Sequence, residues 1–366
     1  MKVPCVVVRI ARYAGAARAM ATLASAACRH RAVAAVADDV ELPSISVVVP
    51  ARDEAARIGP LLSAIVGASG VGEVIVVDDE SSDGTAAVAS RLGATVLAGR
   101  PLPPRWVGKA WALQQGMDVA TGEWVVLLDA DARPSPRLVR ALVARAIADE
   151  LDVLSVAGRF ACPTAPLRWL HPALLTTLVY RSPPPGAVRR GPVHRRMGNG
   201  QCMAARRATV LAAGGFAPVA HHSVEDVAFV RTMAGAGFAV EFLDAGDLLT
   251  VRMYESAAAA WTGWGRSLAL PGVDPWWRQL VGLGVVVVAQ VAPFVRIAAR
   301  RADVVDVVLV AARLGTLAGT ARAYETRGAT YWLSPIADSL AAAAVASGIV
   351  LRRPRWRGRT YAGATL

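Results

Sequence analysis

The pattern of apolar and polar positions divides the chain into three regions. Residues 1–43 are Ala-rich and interrupted by Arg9, Arg12, Arg18, Arg29, His30 and Arg31. No stretch there reaches about 18 uncharged apolar residues, so the pattern predicts a surface amphipathic helix rather than a spanning one. From residue 44 short β-branched runs appear: Ile45–Val49 ending at Pro50, Val74–Val77, and Trp124–Leu128. Continuous apolar runs of this length suit strands buried on both faces. Helical patterns lie between them, near 54–67, 84–92 and 109–120. Strand–helix alternation predicts an α/β domain over 44–270, with a mostly parallel sheet flanked by helices. Ligands in such sheets bind outside the carboxyl ends of the strands.

The third region, 271–366, holds apolar stretches at about 280–297, 303–321 and 331–351 and ends in a basic tail. The second is about 28 Å long at about 1.5 Å per residue, close to a bilayer core. Arg300 and Arg301 follow the first stretch, and Arg352, Arg353, Arg355, Arg357 and Arg359 follow the third. The positive-inside rule places both clusters in the cytoplasm if 303–321 and 331–351 span and 280–297, with Pro293, is re-entrant or interfacial.

Composition supports membrane contact. Hydrophobic residues make up 54% of the 366, and the mean hydropathy is +0.40. That is too apolar for an ordinary soluble domain, yet 19% of residues are charged. A soluble domain joined to a few apolar segments satisfies both facts. The net charge is +12, and the only lysines are Lys2 and Lys109. Such basicity suits anionic lipid headgroups. No zinc-finger, RNP or basic-helix signature accompanies it, so nucleic acid is not an expected partner. Cys5, Cys28, Cys162 and Cys202 share no metal-ligand spacing and read as small buried hydrophobes.

Three polar clusters sit just after predicted strands: Pro50-Ala-Arg52-Asp53-Glu54, Asp78-Asp79-Glu80-Ser-Ser-Asp83-Gly-Thr85, and Asp129-Ala-Asp131. Two carboxylates at i and i+2 of a strand end lie about 7 Å apart on one face. They repel by about 2 kcal/mol at an effective dielectric near 20, and a divalent cation reverses that sign. Oxygen ligands suit Mg²⁺ or Mn²⁺, which also bind diphosphates. The plain alternatives are an acidic surface turn at Asp129 and Asp131, and a helix N-cap between Asp78 and Thr85. No GxGxxG follows the first strand, which speaks against a dehydrogenase.

The series PARDE, VDDESSDGT and LLDADA resembles family 2 glycosyltransferases of the GT-A fold. The resemblance extends through Gly108-Lys109-Ala-Trp-Ala-Leu113, Gly198-Asn-Gly-Gln-Cys-Met-Ala-Ala-Arg-Arg207, Gly214-Gly-Phe216 and Val224-Glu-Asp-Val227. The membrane-bound subgroup acting on carotenoids and other hydrophobic lipids is the nearest in flavour, with ceramide- and hopanoid-associated enzymes similar. The resemblance implies that Pro50, Arg52, Glu54, Asp78 and Asp79 hold the base and ribose of a nucleotide sugar, UDP-hexose being the first guess. Lys109 would contact the nucleotide or its diphosphate, Asp131 would be the principal metal ligand, and Asp129 would contact ribose or metal. Asp226 would be the general base of an inverting transfer to a lipid-like acceptor. Gly200, Gln201, Glu225, Trp261, Trp264 and Arg266 are candidates for an acceptor wall or lid. The two tryptophans suit an interfacial belt equally well. Two alternatives remain: a processive polysaccharide synthase, whose QxxRW motif is not cleanly present, and a nucleotide-sugar-binding membrane protein without catalysis. The resemblance implies a cytoplasmic membrane location with the catalytic domain facing the cytoplasm.

Overall fold

A computed structural model describes residues 3–27, 32–186, 191–350, 355–356 and 359–360. They group into two compact units. One is built mainly from residues 32–160 and 191–253, and the other from 3–27, 161–186 and 254–350. Residues 161–186, inside the stretch expected to be the catalytic domain, group with the later helices.

The first unit is α/β. Its strands in chain order are β1 (Ile45–Ala51), β2 (Glu73–Asp78), β3 (Thr95–Ala98), β4 (Trp124–Leu128), β5 (Ala132–Pro134), β6 (Val153–Ala157), β7 (Arg159–Phe160), β8 (Cys202–Arg206), β9 (Val240–Asp244) and β10 (Leu249–Val251). Seven of them form one sheet in the order β3-β2-β1-β4-β8-β6-β9. All neighbours are parallel except β8, which runs antiparallel to both β4 and β6. A small sheet, β5-β10-β7, lies apart.

The β-branched runs explain the centre of the sheet. Val47, Val48 and Val49 are wholly buried, as are Val76, Val77, Val125 and Val126. Each such side chain contributes about 1.5–3 kcal/mol when removed from water. Pro50 lies inside β1, one residue beyond the expected end of that strand. It fits because pairing with β4 stops at Val48 and no ladder bond on that side needs its missing N–H. The helix Gly108–Val119 packs on β1 at a glycine. A Cβ on Gly116 would stand 2.2 Å from Val48 Cγ1. The first expected helix starts later than the pattern suggests, at Ile58, because residues 52–57 form the loop that leaves β1.

In β3-β2-β1-β4 the chain leaves β1 for β2 on one side and returns to β4 on the other. This is a topological switch point, where the loops after β1 and β4 diverge and leave a crevice.

The second unit is helical. The helix Val3–Ala27 contributes Ala16 and Ala19 to a cluster with Tyr180, Val285, Ala289 and Leu309. Arg12 binds Asp303 at 2.6 Å and Asp306 at 2.6 Å, and these two acids form the capping box of the helix Val304–Thr320. The segments Trp276–Ala298 and Val304–Ala323 are long and apolar enough to cross a membrane. The first contains a π-helical turn at Val287–Val291 and continues through Pro293. The third expected stretch is interrupted: a short helix Gly328–Trp332, a 3-10 turn Ser334–Ala337, then Asp338–Val350. Among the described residues, 276–298 joins the middle helix as a candidate span, and 334–350 is a shorter apolar helix. Pro335 and the buried acid Asp338 break the run that composition alone presents as continuous.

A wholly buried ion pair ties this bundle together. Arg313 Nε and Nη2 each donate to Asp338 at 2.8 Å, and Nη2 also reaches Ser334 Oγ at 3.0 Å. Gln290, in the π turn, donates to Asp338 Oδ1 at 2.7 Å and to the carbonyl of Ala173 at 2.9 Å. Charge placed inside an apolar bundle is tolerated when paired in this way.

Candidate active site

The loops leaving β1 and β2 are stitched to one another. Asp53 has φ 52° and Glu80 φ 56°, left-handed conformations that acidic and amide side chains enter more readily than branched ones. The Asp53 N–H donates to Ser81 Oγ at 3.0 Å, and the Ser82 N–H donates to Asp53 Oδ1 at 2.8 Å. The Glu54 N–H donates to Thr85 Oγ1 at 2.8 Å, and the Ala55 N–H donates to Asp83 Oδ2 at 2.9 Å. The Thr85 hydroxyl donates in turn to Asp83 Oδ1. Arg52 donates to the carbonyl of Asp79 and lies 3.7 Å from both the Asp79 and Glu80 carboxylates. Of the residues expected to hold a nucleoside, Arg52, Glu54 and Asp79 are thus brought together. Asp78 ends β2 directly opposite Ala51 of β1. Its Oδ1 is buried and has no hydrogen-bond partner in the protein. A buried carboxylate oxygen in that state is poised to accept an N–H from a ligand.

A second cluster forms around Lys109, in the first turn of the helix Gly108–Val119. Its ammonium lies 2.7 Å from Asp129 Oδ1, 3.0 Å from Asp129 Oδ2 and 3.0 Å from Glu225 Oε1. Asp129 follows β4, and Glu225 opens the helix Glu225–Gly235. Asp226, the next residue, takes two backbone donors: Gly200 N–H to Oδ2 and Val227 N–H to Oδ1, each at 2.8 Å. Gly200 leaves room here for the neighbouring side chains. A Cβ there would stand 2.9 Å from Lys109 Nζ and 3.2 Å from Asp226 Cβ.

Electrostatics follow from this geometry. Burial alone would lower the Lys109 pKa, but the charges of Asp129, Glu225 and Asp226 outweigh it and hold the ammonium firmly protonated. Burial raises the Asp226 carboxyl, and the neighbouring Glu225 charge adds to that, against the opposing pull of Lys109 and the two backbone donors. Its pKa is pushed up to about 6. A carboxyl poised there changes charge near neutral pH, the range useful for proton transfer.

The remaining expected residues divide by unit. Gln201 is buried; its N–H donates to Asn199 Oδ1 at 3.0 Å, and its Oε1 accepts from Asn199 Nδ2 at 2.8 Å. Ser155 anchors the same turn through both the N–H and the carbonyl of Asn199. Gln201 thereby shapes the turn that presents Gly200. The Asp131 carbonyl accepts from the Arg252 N–H at 3.3 Å, which fixes the turn between β4 and β5. Trp261, Trp264 and Arg266 all lie on the helix Ala257–Ser267 of the helical unit. Trp264 is buried with its ring 4.4 Å from that of His171, and Trp261 Nε1 donates to the carbonyl of Leu340 at 3.1 Å. What the structure records for these two indoles is packing.

Ser81, Ser82, Asp83 and Thr85, which cross-link the two loops, were not singled out individually by sequence pattern. The signal available for them was the density of short hydroxyl and carboxyl side chains after β2. Among the described residues, no group of three or more His, Cys, Asp and Glu side chains is arranged to enclose a metal ion. A cation here would have to complete its shell with ligand oxygens and water. Mg²⁺ and Mn²⁺ do so at sites that offer one or two carboxylates plus a diphosphate; of the two expected ligands, Asp129 has both oxygens on the Lys109 ammonium.

Residues 46–210 match the profile of glycosyl transferase family 2. A 4,4'-diaponeurosporenoate glycosyltransferase of Staphylococcus aureus strain RF122 is 39% identical over 89 residues, 24% of each chain. The chain therefore matches about a quarter of the length of that curated relative. A mannosyltransferase from Pyrobaculum calidifontis, solved with GDP-Man and Mn²⁺, superposes over 95% of this chain and 98% of its own, with a TM-score of 0.54 and 18% identity. At that identity the likeness is one of fold. Glucosyl-3-phosphoglycerate synthase from Mycobacterium tuberculosis, solved with Mn²⁺, UDP and its product, covers 67% of this chain and 80% of its own at 24% identity and a TM-score of 0.43. Residues 46–210, less than half of the chain, thus resemble glycosyl transferase family 2, on a mostly parallel α/β sheet with acidic clusters at its strand ends.

Proposed function

We propose that this protein transfers a sugar from a nucleotide-diphosphate donor, a UDP-hexose being the first candidate, to a hydrophobic lipid acceptor at the membrane, with inversion at the anomeric carbon. The observation that carries the reading is the meeting of Asp129 and Glu225 on the Lys109 ammonium, with Asp226, the residue after Glu225, held by the Gly200 N–H. They come from separate elements at the carboxyl edge of a switch-point sheet, where α/β folds bind nucleotides.

In this reading Asp78, through its partnerless Oδ1, accepts an N–H of the base. Arg52, Glu54 and Asp79 frame the nucleoside on the stitched loops. Asp131, with Asp129 beside it, would hold a Mg²⁺ or Mn²⁺, which would supply charge neutralisation to the leaving diphosphate. Asp226 removes the proton from the acceptor oxygen as that oxygen attacks the anomeric carbon, and the bond to the diphosphate breaks with its electron pair leaving on phosphate oxygen. The two backbone donors aim the Asp226 carboxylate and restrict its rotation. The S. aureus relative is named for a carotenoid-acid acceptor, which supports a long apolar acceptor here.

Membrane attachment belongs to the same proposal. In the candidate spans several apolar side chains face outward, Trp276 at 62% exposure, Val304 at 78% and Val307 at 61%, while Gln290, Asp306 and Arg313 are wholly buried and Arg278 and Arg296 are half-buried. A core helix of a soluble protein has the reverse arrangement, whereas a helix bathed in lipid has this one.

Asp226→Asn in the purified full chain is the test. Transfer is expected to fall by at least about 100-fold, the scale of a lost general base, while binding of nucleoside diphosphate with Mn²⁺ stays within threefold. Full activity in this variant refutes the assignment of the base.

A further inference from the structure

The helical unit holds a cation, Arg181, with which no acid among the described residues forms a close ion pair. We propose that Arg181 and Gln279 form a headgroup site for an anionic membrane phospholipid, the guanidinium taking its phosphate and the amide oxygen taking a headgroup hydroxyl. The proposal rests on the membrane attachment inferred above and names the lipid that this attachment recruits.

Three observations carry it. The first is the arginine itself, which lies just beyond the helix Ala165–Val179. Its Nε donates to the Thr177 carbonyl at 2.7 Å, and its Nη2 lies 3.5 Å from Thr177 Oγ1. A guanidinium has five N–H donors, so three have no acceptor among the described residues. Burial lowers the pKa to about 10, against the opposing charge of Asp274. The group is charged at neutral pH, and a part-buried charge without a counter-ion is costly. The second is what the guanidinium lies against, the helix Trp276–Val286 at a glycine. A Cβ on Gly282 would stand 2.9 Å from Arg181 Cδ and 3.7 Å from Nη1. Gln279, one turn earlier on the same face, is only 6% exposed. Its Nε2 donates to the Asp274 carbonyl at 2.8 Å, while its buried Oε1 has no partner in the protein. A guanidinium with donors to spare and an orphan acceptor, one helical turn apart, call for a ligand with both an anionic oxygen and a hydroxyl. The third is depth. Trp276 and Trp277 are 62% and 49% exposed, and the Arg278 guanidinium sits 5.0 Å from the centre of the Trp277 ring. Exposed tryptophans mark the headgroup boundary, and Gly282 follows Trp276 within about 9 Å along the helix axis. The anion met at that level is a lipid phosphate. A choline headgroup offers no hydroxyl to Gln279; a glycerol headgroup does.

The test uses the full chain in a neutral detergent, with lipid retention read by native mass spectrometry. The probes are phosphatidylglycerol, phosphatidylmethanol, which has the phosphate but no headgroup hydroxyl, and phosphatidylcholine. For the parent we expect phosphatidylglycerol to bind at least tenfold tighter than phosphatidylcholine and at least threefold tighter than phosphatidylmethanol. Arg181→Met keeps the stem against Gly282 and removes the charge; it should lose at least tenfold in affinity for both anionic lipids, and Arg181→Lys should recover part of that loss. Gln279→Leu should erase the preference for phosphatidylglycerol over phosphatidylmethanol and leave phosphatidylmethanol affinity within twofold. A parent without preference among the three lipids, or Arg181→Met binding phosphatidylglycerol within twofold of the parent, overturns the proposal. So does displacement of phosphatidylglycerol by inorganic phosphate at constant ionic strength, which assigns the arginine to a free anion. If Arg181→Met does not fold, Gln279→Leu decides: an undiminished preference for phosphatidylglycerol in that variant overturns the site. Flotation with phosphatidylcholine vesicles separates the two readings. Parent and Arg181→Met should both float, because the apolar helices attach them; a parent that stays in solution refutes membrane attachment itself, whereas flotation without lipid preference sinks the headgroup site alone.

Discussion

At the scale of single residues, the feature that most constrains the chemistry is Asp226. Burial and the adjacent Glu225 raise its carboxyl to about 6. A general base works only when deprotonated. The sign is therefore fixed: kcat/KM should be flat above about pH 6.5 and fall about tenfold per unit below pH 6. Glu225→Gln removes a neighbouring negative charge, so the acid limb should move to lower pH; a limb that stays in place would separate Glu225 from the base. Asp226 also marks what was legible at this scale. The acid pair, the Asp129–Asp131 pair and the lone lysine all stood out in the chain because rare or closely spaced charges are visible in one dimension. Their partners were not. That Lys109 meets Glu225 across 116 positions depends on the closure of the sheet, and nothing local encodes it. The cross-loop bonds from Asp53 to Ser81 and Ser82 were hidden for the same reason.

At the scale of elements, the β-branched runs predicted β1, β2 and β4 well, because fully buried parallel strands need apolar side chains on both faces. β8 was not anticipated as a strand. Its sequence, Cys-Met-Ala-Ala-Arg, is poor in β-branched residues, and it is held by antiparallel neighbours on both sides. Tertiary pairing overrides weak propensity here. The contact of the helix Gly108–Val119 on β1 yields a direct test. Gly116→Ala places a methyl 2.2 Å from Val48 Cγ1. Overpacking of this kind costs about 1–3 kcal/mol. The expected result is a lower midpoint in chemical denaturation of the full chain. An unchanged midpoint would mean the helix can shift off β1 without penalty.

At the scale of the whole molecule, the helices Trp276–Ala298 and Val304–Thr320 are joined by a charged turn that holds Arg300 and Arg301. The positive-inside rule favours the cytoplasm for that turn. In sealed membranes Arg301→Cys should therefore react with an impermeant thiol reagent from the cytoplasmic face; reaction only from the opposite face would contradict this orientation. Composition alone had indicated apolar stretches in this region but not which helix was interrupted, because the break at Pro335 and Asp338 depends on the burial of that acid against Arg313.

The central claim is that the acids gathered at the carboxyl edge of the sheet move a sugar onto a lipid. The most direct measurement is incubation of membranes containing the parent protein or Asp226→Asn with a panel of radiolabelled nucleotide sugars, followed by mass spectrometry of the labelled, solvent-extracted lipid. The account predicts one labelled lipid carrying a single added sugar, formed with the parent and absent with Asp226→Asn. Label found only in water-soluble polymer, or the same lipid formed equally well by both proteins, would contradict it.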